Sequence, residues 1–269
     1  MFALDTVIIF LLLGLVVGFF AGLLGIGGGG IMVPVLTAFF LYKNVPVEFV
    51  VHLALGTSMA SIIVTSISSM VAHQRHQGVI WSVVKIMVPG VLIGTFAATY
   101  IVSHISSEAL ATFFAVFMAY VSVQMFLNIQ PKPSRIIPGN LGLTSVGGAI
   151  GAISAVVAIG GGSLTVPFLT WHNVNIKKAI GTSAAIGFPI AVAGTVGYLV
   201  NGWNASFKQD YLFGFIYLPA VLLISFMSYF TAPIGARLAH KLPVPVLKKV
   251  FSLFLIVLGI KMLISVIQQ

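Results

Sequence analysis

Residues 25–37 read GIGGGGIMVPVLT, and residues 158–170 read AIGGGSLTVPFLT. Eight of the thirteen aligned positions are identical. Each copy follows an apolar segment and precedes a shorter one, so the glycines interrupt two hydrophobic regions at corresponding places. Irregular backbone at membrane depth is tolerated only inside protein or around a cavity, and paired interruptions of this kind are typical of substrate-binding sites in membrane transporters.

The composition indicates the class of protein. Of 269 residues, 59% are hydrophobic and 6% are charged, whereas about a quarter of the residues in a soluble domain are charged. We therefore expect an all-α polytopic membrane protein. The chain has no cysteine, which excludes disulfides and thiolate chemistry. No residue pattern indicates a catalytic or metal centre, so we do not expect an enzyme.

Hydrophobic windows predict ten membrane segments. Eight are close to the roughly 20 residues that a helix needs to cross a bilayer. They lie near 6–26, 49–72, 79–103, 109–128, 140–159, 179–200, 211–236 and 246–267. Two shorter windows, 31–42 and 164–172, follow the glycine runs. Each short window is expected to complete a broken or re-entrant helix pair at the start of a repeat.

The repeat extends over nearly the whole chain. Further matches join Gly56-Thr57-Ser58 to Gly181-Thr182-Ser183, Pro89 to Pro219, and Gln124-Met125-Phe126 to Lys261-Met262-Leu263. A proline-rich stretch marks the joint between the copies. We predict a first repeat over 1–128, a cytoplasmic linker over 129–139 and a second repeat over 140–269, which pack into one membrane domain.

Charge placement orients the segments. The loops after segments 3, 5, 7 and 9 carry bases and no acid: Arg75, Lys132, Arg135, Lys177, Lys178, Arg237, Lys241, Lys248 and Lys249. The opposite set holds all four acids, with two bases: Asp5, Glu48, Glu108, Asp210, Lys43 and Lys208. The positive-inside rule then predicts both termini outside and a second repeat inverted relative to the first. Four segments per repeat would give parallel copies and no charge bias.

Both glycine runs are predicted to contact the substrate. The candidates are Gly27, Gly28, Gly29 and Gly30, and in the second copy Gly160, Gly161, Gly162 and Ser163. Each run ends where a helix is expected to begin, with Pro34 or Pro167 near its first turn, and that turn presents unpaired N–H groups at the positive end of the helix dipole. Close helix packing is the alternative role for small residues in membranes. Consecutive glycines make a poor helix, which favours the binding interpretation.

Hydroxyl groups recur at equivalent positions. Thr57, Ser58, Thr182 and Ser183 each follow a glycine inside an apolar segment. Such hydroxyls can simply bond to carbonyls of the preceding turn, but their duplication favours a role in lining a substrate path. Ser61 and Thr65 extend the face of Thr57 at a spacing of four residues.

The other polar residues narrow the class of ligand. Residues 73–77 read HQRHQ and predict a solvated cytoplasmic loop, while His52 and His172 are expected at the membrane interface. All four acids map to the outer face, whereas cation pathways usually carry acids within the bilayer. Positive helix ends and hydroxyls without negative charge favour a small anion.

The duplicated pattern Gly-Gly-Gly-x-x-x-Val-Pro, with Gly-Thr-Ser after each copy, resembles the TauE/SafE family, the sulfite exporter or toluene-sulfonate uptake permeases. The resemblance covers essentially the whole chain. It implies transport of small sulfur oxyanions or organosulfur anions across the bacterial inner membrane.

We therefore expect a secondary transporter for an anion such as sulfite, thiosulfate, a sulfonate or sulfoacetate, working by alternating access of two inverted repeats. A passive anion channel and a carrier of another organic anion are the alternatives. The expected partners are the substrate and the bilayer, with no nucleic acid. No cofactor is expected. The candidate coupling ions are H⁺, carried by a weak-acid substrate or by His52, and Na⁺, bound at unwound carbonyls.

Overall fold

A computed structural model describes residues 4–127, 136–203, 205, 210–241 and 244–268 of the chain, without the side chains of 240, 244–248 and 250. The helices in these ranges are α1 (Leu4–Leu24), α2 (Gly29–Tyr42), α3 (Val47–Gln74), α4 (Trp81–Val102), α5 (Ser107–Phe126), α6 (Asn140–Val157), α7 (Gly162–Trp171), α8 (Ile176–Asn201), α9 (Leu218–Lys241) and α10 (Val244–Ile267). A two-residue hairpin, β1 (Leu212–Phe213) with β2 (Ile216–Tyr217), precedes α9. The predicted all-α polytopic fold is confirmed.

Each of the ten hydrophobic windows corresponds to one helix. By length and composition, α1, α3, α4, α5, α6, α8 and α9 could each cross a membrane. The two short helices are different, because at 1.5 Å per residue α2 is about 21 Å long and α7 about 15 Å long. Both are shorter than a hydrocarbon core of about 30 Å. Residues 128–135, most of the predicted linker, lie outside the described ranges.

The helices of one half pack on those of the other in matching pairs. Helix α1 packs on α9, and its counterpart α6 packs on α4. In the same way α3 packs on α9, and α8 packs on α4. Two counterpart pairs, α3 with α8 and α5 with α10, pack directly on each other. Helices from the N-terminal and C-terminal parts of the chain therefore pack together throughout, with the largely buried α3 and α8 in contact with each other.

Glycines create the close approaches between these helices. A Cβ on Gly14 would lie 2.5 Å from the Ile224 carbonyl oxygen, and a Cβ on Gly147 would lie 2.6 Å from the Met87 carbonyl oxygen. A Cβ on Gly18 would overlap the Thr231 side chain. Small residues in α1 and α6 therefore serve helix packing, the role that small residues commonly take in membrane proteins.

Two equivalent hydrogen bonds also show which residues of α4 and α9 correspond in the two halves. The Ile80 N–H donates to the Thr182 hydroxyl at 3.0 Å, and the Tyr217 N–H donates to the Thr57 hydroxyl at 3.0 Å. Ile80 and Tyr217 each directly precede a helix. Counting from them, the counterpart of Pro89 is Phe226, so matching it to Pro219 from residue type was wrong.

The predicted outer loops and helix ends gather around the hairpin. The Ser107 hydroxyl donates to the Glu48 carbonyl at 2.7 Å, which joins the starts of α5 and α3. The Phe215 ring lies 5.2 Å from the His52 ring and 6.3 Å from the Phe49 ring, measured between centroids. The segment that contains Asp210 therefore sits beside the start of α3.

The basic ends form a second group. The loop before α4 contacts the start of α8, since a Cβ on Gly181 would overlap the Gly78 carbonyl oxygen. Arg75 and Arg237 line one shared cavity. The bases at Lys132, Arg135 and Lys208 lie outside the described residues, as does the side chain of Lys248.

Candidate functional site

The two glycine loops touch each other directly. The Gly160 N–H donates to the Ile26 carbonyl at 3.0 Å. A Cβ on Gly27 would lie 2.7 Å from the Gly160 nitrogen, and a Cβ on Gly29 would overlap the Ala158 carbonyl oxygen. The loops can reach this distance only because Gly27, Gly29 and Gly160 carry no side chains. We call this contact between residues 25–29 and 158–162 the glycine crossing.

Left-handed backbone recurs at two equivalent positions of the two loops, and Gly27, with φ of 78°, adds a third such position in the first loop only. Gly28 and Gly161 precede α2 and α7 with φ of 88° and 78°. Gly25 and Ala158 follow α1 and α6 with φ of 71° and 48°. Because a Cβ disfavours this region, glycine is the expected residue at such positions. Each half therefore breaks its helix at two equivalent residues.

Both short helices begin at the glycine crossing. The first N–H groups that donate along α2 are those of Ile31 and Met32, both to the Gly28 carbonyl at 3.1 Å. In the described part of the chain, the N–H groups of Gly29 and Gly30 donate no such bond. The arrangement recurs at α7, where Leu164 and Thr165 donate to the Gly161 carbonyl at 3.1 and 2.7 Å. Two positive helix ends therefore lie at one place.

The prolines lie beyond the first turn of their helices, where the sequence indicated the first turn itself. Pro34 and Pro167 are each the sixth residue of their helix. Proline has no N–H, so neither can bond to the carbonyl four residues earlier. Those carbonyls belong to Gly30 and Ser163. The break in each helix therefore extends past the glycines into the next turn.

A small cavity of about 10 Å³ opens beside the glycine crossing. Its lining residues are Ala21, Gly25, Gly27, Thr65, Ser66, Ser69, Gly160, Ala184 and Gly187. A volume of this size holds about one water molecule. Of the predicted contact residues, Gly27 and Gly160 belong to this lining. We call this space the crossing cavity.

Helix α3 supplies the polar side of the crossing cavity. The Thr65 hydroxyl donates to the Ser61 carbonyl at 3.1 Å and pairs with the Ser228 hydroxyl at 2.7 Å. Ser66 donates to the Ile63 carbonyl at 3.0 Å. The Ser69 hydroxyl is buried and has no hydrogen-bond partner among the described residues. Ser69 is therefore the hydroxyl best placed to bind something that enters the cavity.

Sequence reasoning missed Ser66 and Ser69. The signal was available, because the spacing of four residues that joins Thr57, Ser61 and Thr65 continues to Ser69. Serine in an apolar helix commonly bonds to its own backbone, so pattern alone gives these residues no special weight. Their place beside Gly160 of the second loop in the lining of the crossing cavity distinguishes them, and only the fold creates that arrangement.

The other predicted glycines lie around the cavity without lining it. A Cβ on Gly28 would overlap the Val17 side chain, and one on Gly30 would lie 2.9 Å from Leu255. A Cβ on Gly161 would lie 2.9 Å from Ile190, and one on Gly162 would overlap the Gly25 carbonyl oxygen. Ser163 is buried, and its hydroxyl has no partner among the described residues.

The duplicated Gly-Thr-Ser motif holds the halves together. The Thr57 and Thr182 hydroxyls accept the N–H groups of Tyr217 and Ile80 described above. Ser183 donates to its own helix at Ile180, 2.8 Å away, and reaches the Gly25 carbonyl at 3.3 Å. Its counterpart Ser58 is buried without a partner in the described ranges. None of the four lines the crossing cavity.

Of the four histidines predicted at the surface or interface, His76 is exposed, whereas His52, His73 and His172 are buried. His73 lies inside α3 with no exposed surface, and its Nε2 donates to the Gly22 carbonyl at 2.8 Å. The solvated loop predicted over 73–77 is therefore wrong for His73. In the other half, the Tyr198 hydroxyl makes the equivalent bond to the Ala155 carbonyl at 2.8 Å. A long polar side chain thus fixes the end of α1 and of α6 to the central helices.

His52 and His172 also bond to the backbone. The two ring nitrogens of His52 lie 3.1 Å from the Glu48 and Val102 carbonyl oxygens. His172 Nδ1 lies 2.7 Å from the Phe168 carbonyl oxygen, at the end of α7. Both therefore fasten helix ends, and they are 4% and 6% exposed where the sequence suggested interfacial positions.

The electrostatics of the crossing cavity favour negative charge. No acid lines it. All four acids, Asp5, Glu48, Glu108 and Asp210, are exposed and lie at helix ends or just before the hairpin. The positive ends of α2 and α7 meet beside it. Among the described residues, a small anion there would meet the unpartnered Ser69 hydroxyl, two helix N-termini nearby and no opposing charge.

Known proteins are similar in sequence to this chain along nearly its full length. Residues 10–262 match the family described as sulfite exporter TauE/SafE. A probable membrane transporter protein of Haemophilus influenzae is 40% identical over 262 residues, which cover 96% of this chain and 98% of that protein. A probable membrane transporter protein of Methanocaldococcus jannaschii is 25% identical, with 94% of each chain covered. Another, YunE of Bacillus subtilis, is 25% identical, with 95% of this chain and 97% of YunE covered.

No solved structure matches the chain. The family match covers both glycine loops, the Gly-Thr-Ser motifs and the helices that surround the crossing cavity. The chain therefore belongs to the sulfite exporter TauE/SafE family of membrane transporters.

Proposed function

We propose that the protein is a secondary transporter for a small sulfur-containing anion such as sulfite, thiosulfate, a sulfonate or sulfoacetate. The glycine crossing is the observation that carries this proposal. The backbone of Gly25, Gly27 and Gly160 and the Ser69 hydroxyl line one cavity there, and α2 and α7 begin beside it. Sulfur oxyanions present several acceptor oxygens, which suit a site made of N–H and O–H donors.

The size of the crossing cavity favours a carrier over a passive channel. At about 10 Å³ it holds one water molecule and not a sulfur oxyanion. A channel needs a continuous path at one time, whereas a carrier opens its site to one side and then to the other. The halves must therefore move relative to each other before the substrate can bind.

The proposed movement is alternating access of two inverted repeats in a bacterial inner membrane. The matching contacts of α1 with α9 and of α6 with α4 support two equivalent halves. Five helices in each half support inversion of the second copy, and the separate clustering of basic and acidic ends supports cytoplasmic placement of the basic loops. Both termini are then outside.

Coupling to H⁺ is part of the proposal, with His73 as the candidate group. His73 follows Ser69 by one helical turn on α3 and is buried. It therefore lies between the crossing cavity and the basic end of α3. His52, the candidate from sequence, is at the other end of this helix. Transport driven by a Na⁺ gradient and insensitive to pH would exclude this role for His73.

Transport by the purified protein in liposomes tests the proposal. Sulfite, sulfate, thiosulfate, sulfoacetate and taurine should be compared under imposed pH and Na⁺ gradients. A carrier should show saturable uptake and acceleration by substrate on the opposite side. A current that does not saturate, without such acceleration, would establish the channel alternative.

Ser69→Ala tests the crossing cavity itself. A hydrogen bond to a charged group contributes about 1.5–3 kcal/mol, so we expect kcat/KM for the anion to fall by about tenfold or more. Stability should stay equal or rise, because the lost hydroxyl has no partner among the described residues. Ser122→Ala on α5 is the matched control, since Ser122 is also a buried hydroxyl without a described partner but lies outside the cavity. Equal transport by the two variants would place the substrate elsewhere.

A further inference from the structure

A second cavity lies between α3 and α9, on the side of the basic helix ends. It has a volume of about 350 Å³. Residues of α3 from Ile67 onward, with Arg75 directly after the helix, form one wall, and residues of α9 from Tyr229 to Arg237 form the other. The Ser68 hydroxyl donates to the Tyr229 carbonyl at 2.6 Å and so joins the two walls. We call this space the α3–α9 groove.

One end of the α3–α9 groove carries concentrated positive charge. Arg75 and Arg237, one from each wall, are both exposed. No acid is among the lining residues. A guanidinium group presents parallel N–H donors that match two phosphate oxygens, and a pair of arginines can hold one phosphate from both sides.

The rest of the α3–α9 groove is apolar and open. Val71, Tyr229, Phe230 and Ile234 are 44%, 51%, 55% and 51% exposed. Exposed apolar side chains in a membrane-spanning region contact lipid tails. The groove therefore offers an apolar surface that ends at two arginines, which is the arrangement of charge and hydrocarbon in an anionic phospholipid.

The equivalent place in the other half, which inversion puts at the opposite helix ends, lacks the charge, as the topology rule itself predicts. By the correspondence of the halves, Val200 on α8 stands where α3 has Arg75, and Tyr100 on α4 stands where α9 has Arg237. The topology rule requires bases in cytoplasmic loops, and Lys177 and Lys178 already supply them. It does not require two arginines to converge on one groove.

We propose that the α3–α9 groove binds an anionic phospholipid, with its phosphate held by Arg75 and Arg237 and an acyl chain along the apolar wall. Basic pockets between helices on the cytoplasmic side commonly take anionic head groups. The bound lipid bridges the two halves, because α3 and α9 belong to different repeats. The lipid lies nearer the basic ends of α3 and α9 than the hydrogen bond between Thr65 and Ser228. It adds a further link between these helices and so stabilises α3, which lines the crossing cavity.

Native mass spectrometry of the purified protein tests this proposal. The probes are phosphatidylglycerol, phosphatidylcholine and inorganic phosphate. We expect Arg75→Gln/Arg237→Gln to weaken phosphatidylglycerol binding by about tenfold or more, since each arginine contributes hydrogen bonds to a charged group. Phosphatidylcholine binding should change little. Lys177→Gln/Lys178→Gln removes the same charge from another basic segment and should retain phosphatidylglycerol.

Two results would overturn the lipid site. An equal loss in both double variants would mean a general attraction to positive charge. Displacement of phosphatidylglycerol by millimolar inorganic phosphate would mean a pocket for free anions. Photoactivatable phosphatidylglycerol on the unaltered protein gives an assay that does not depend on the folding of variants. It should label peptides from the basic ends of α3 and α9, and labelling elsewhere would also refute the proposal.

Discussion

Single residues at the glycine crossing are fixed by backbone on the opposite side. Gly29 faces the Ala158 carbonyl, and Gly162 faces the Gly25 carbonyl. Neither contact can be relieved by rotation of a side chain, because the neighbouring atoms are backbone. Consecutive glycines therefore let the backbones of the two loops approach closely, in addition to allowing left-handed conformations in each loop.

Gly29→Ala and Gly162→Ala should each destabilise the protein by about 3 kcal/mol or more, the upper range for overpacking a tight site. The midpoint of thermal unfolding, followed by fluorescence-detected gel filtration, measures this. Gly148→Ala is the control. Its Cβ would meet its nearest neighbour, the Gly90 carbonyl oxygen, at 3.5 Å, so stability should be unchanged or higher. Similar midpoints for all three variants would contradict the contact geometry.

At the scale of the elements, the counterpart helices α3 and α8 share one role but differ in another. Helices α3 and α8 both use a threonine to accept an N–H from the opposite half. Only α3 continues with hydroxyl groups, because Ile190 and Gly194 of α8 stand where α3 has Thr65 and Ser69. Both halves therefore supply a threonine that binds the opposite half, whereas the polar side of the crossing cavity comes from one half.

Thr57→Val and Thr182→Val should lower stability by similar amounts. Each change leaves a backbone N–H without its acceptor, at a cost of about 1–3 kcal/mol. Thermal midpoints and transport kinetics together check the role, since a structural threonine alters stability with little change in KM. A large rise in KM at an unchanged midpoint would restore the role in lining the substrate path that the sequence suggested.

The elements themselves could be predicted from the sequence, because apolar length and glycine breaks are local properties. The windows at 31–42 and 164–172 anticipated α2 and α7. Partners across the molecule could not be predicted in this way. Ser69 looks like any helical serine until the second loop is placed beside it, and the polar neighbours of His73 disguise its burial.

At the scale of the whole molecule, the proposed orientation in the membrane rests on the two groups of helix ends. The cysteine-free chain allows this to be tested with single cysteines. His76→Cys and Lys177→Cys should react with an impermeant maleimide only when the cytoplasmic side is accessible, and Glu108→Cys should react from outside. All three positions are exposed. Labelling of positions 76 and 177 from opposite sides would rule out the inverted arrangement.

The glycine crossing has a consequence for speed. Interlocked side chains must change rotamer before two surfaces can slide, and every such change adds to the activation barrier. The surface shared by Gly27 and Gly160 is bare backbone, joined by the bond from the Gly160 N–H to the Ile26 carbonyl. Sliding at this point requires few side-chain rearrangements, so the bare backbone surface should favour rapid turnover. A single added methyl group should slow the movement of the halves.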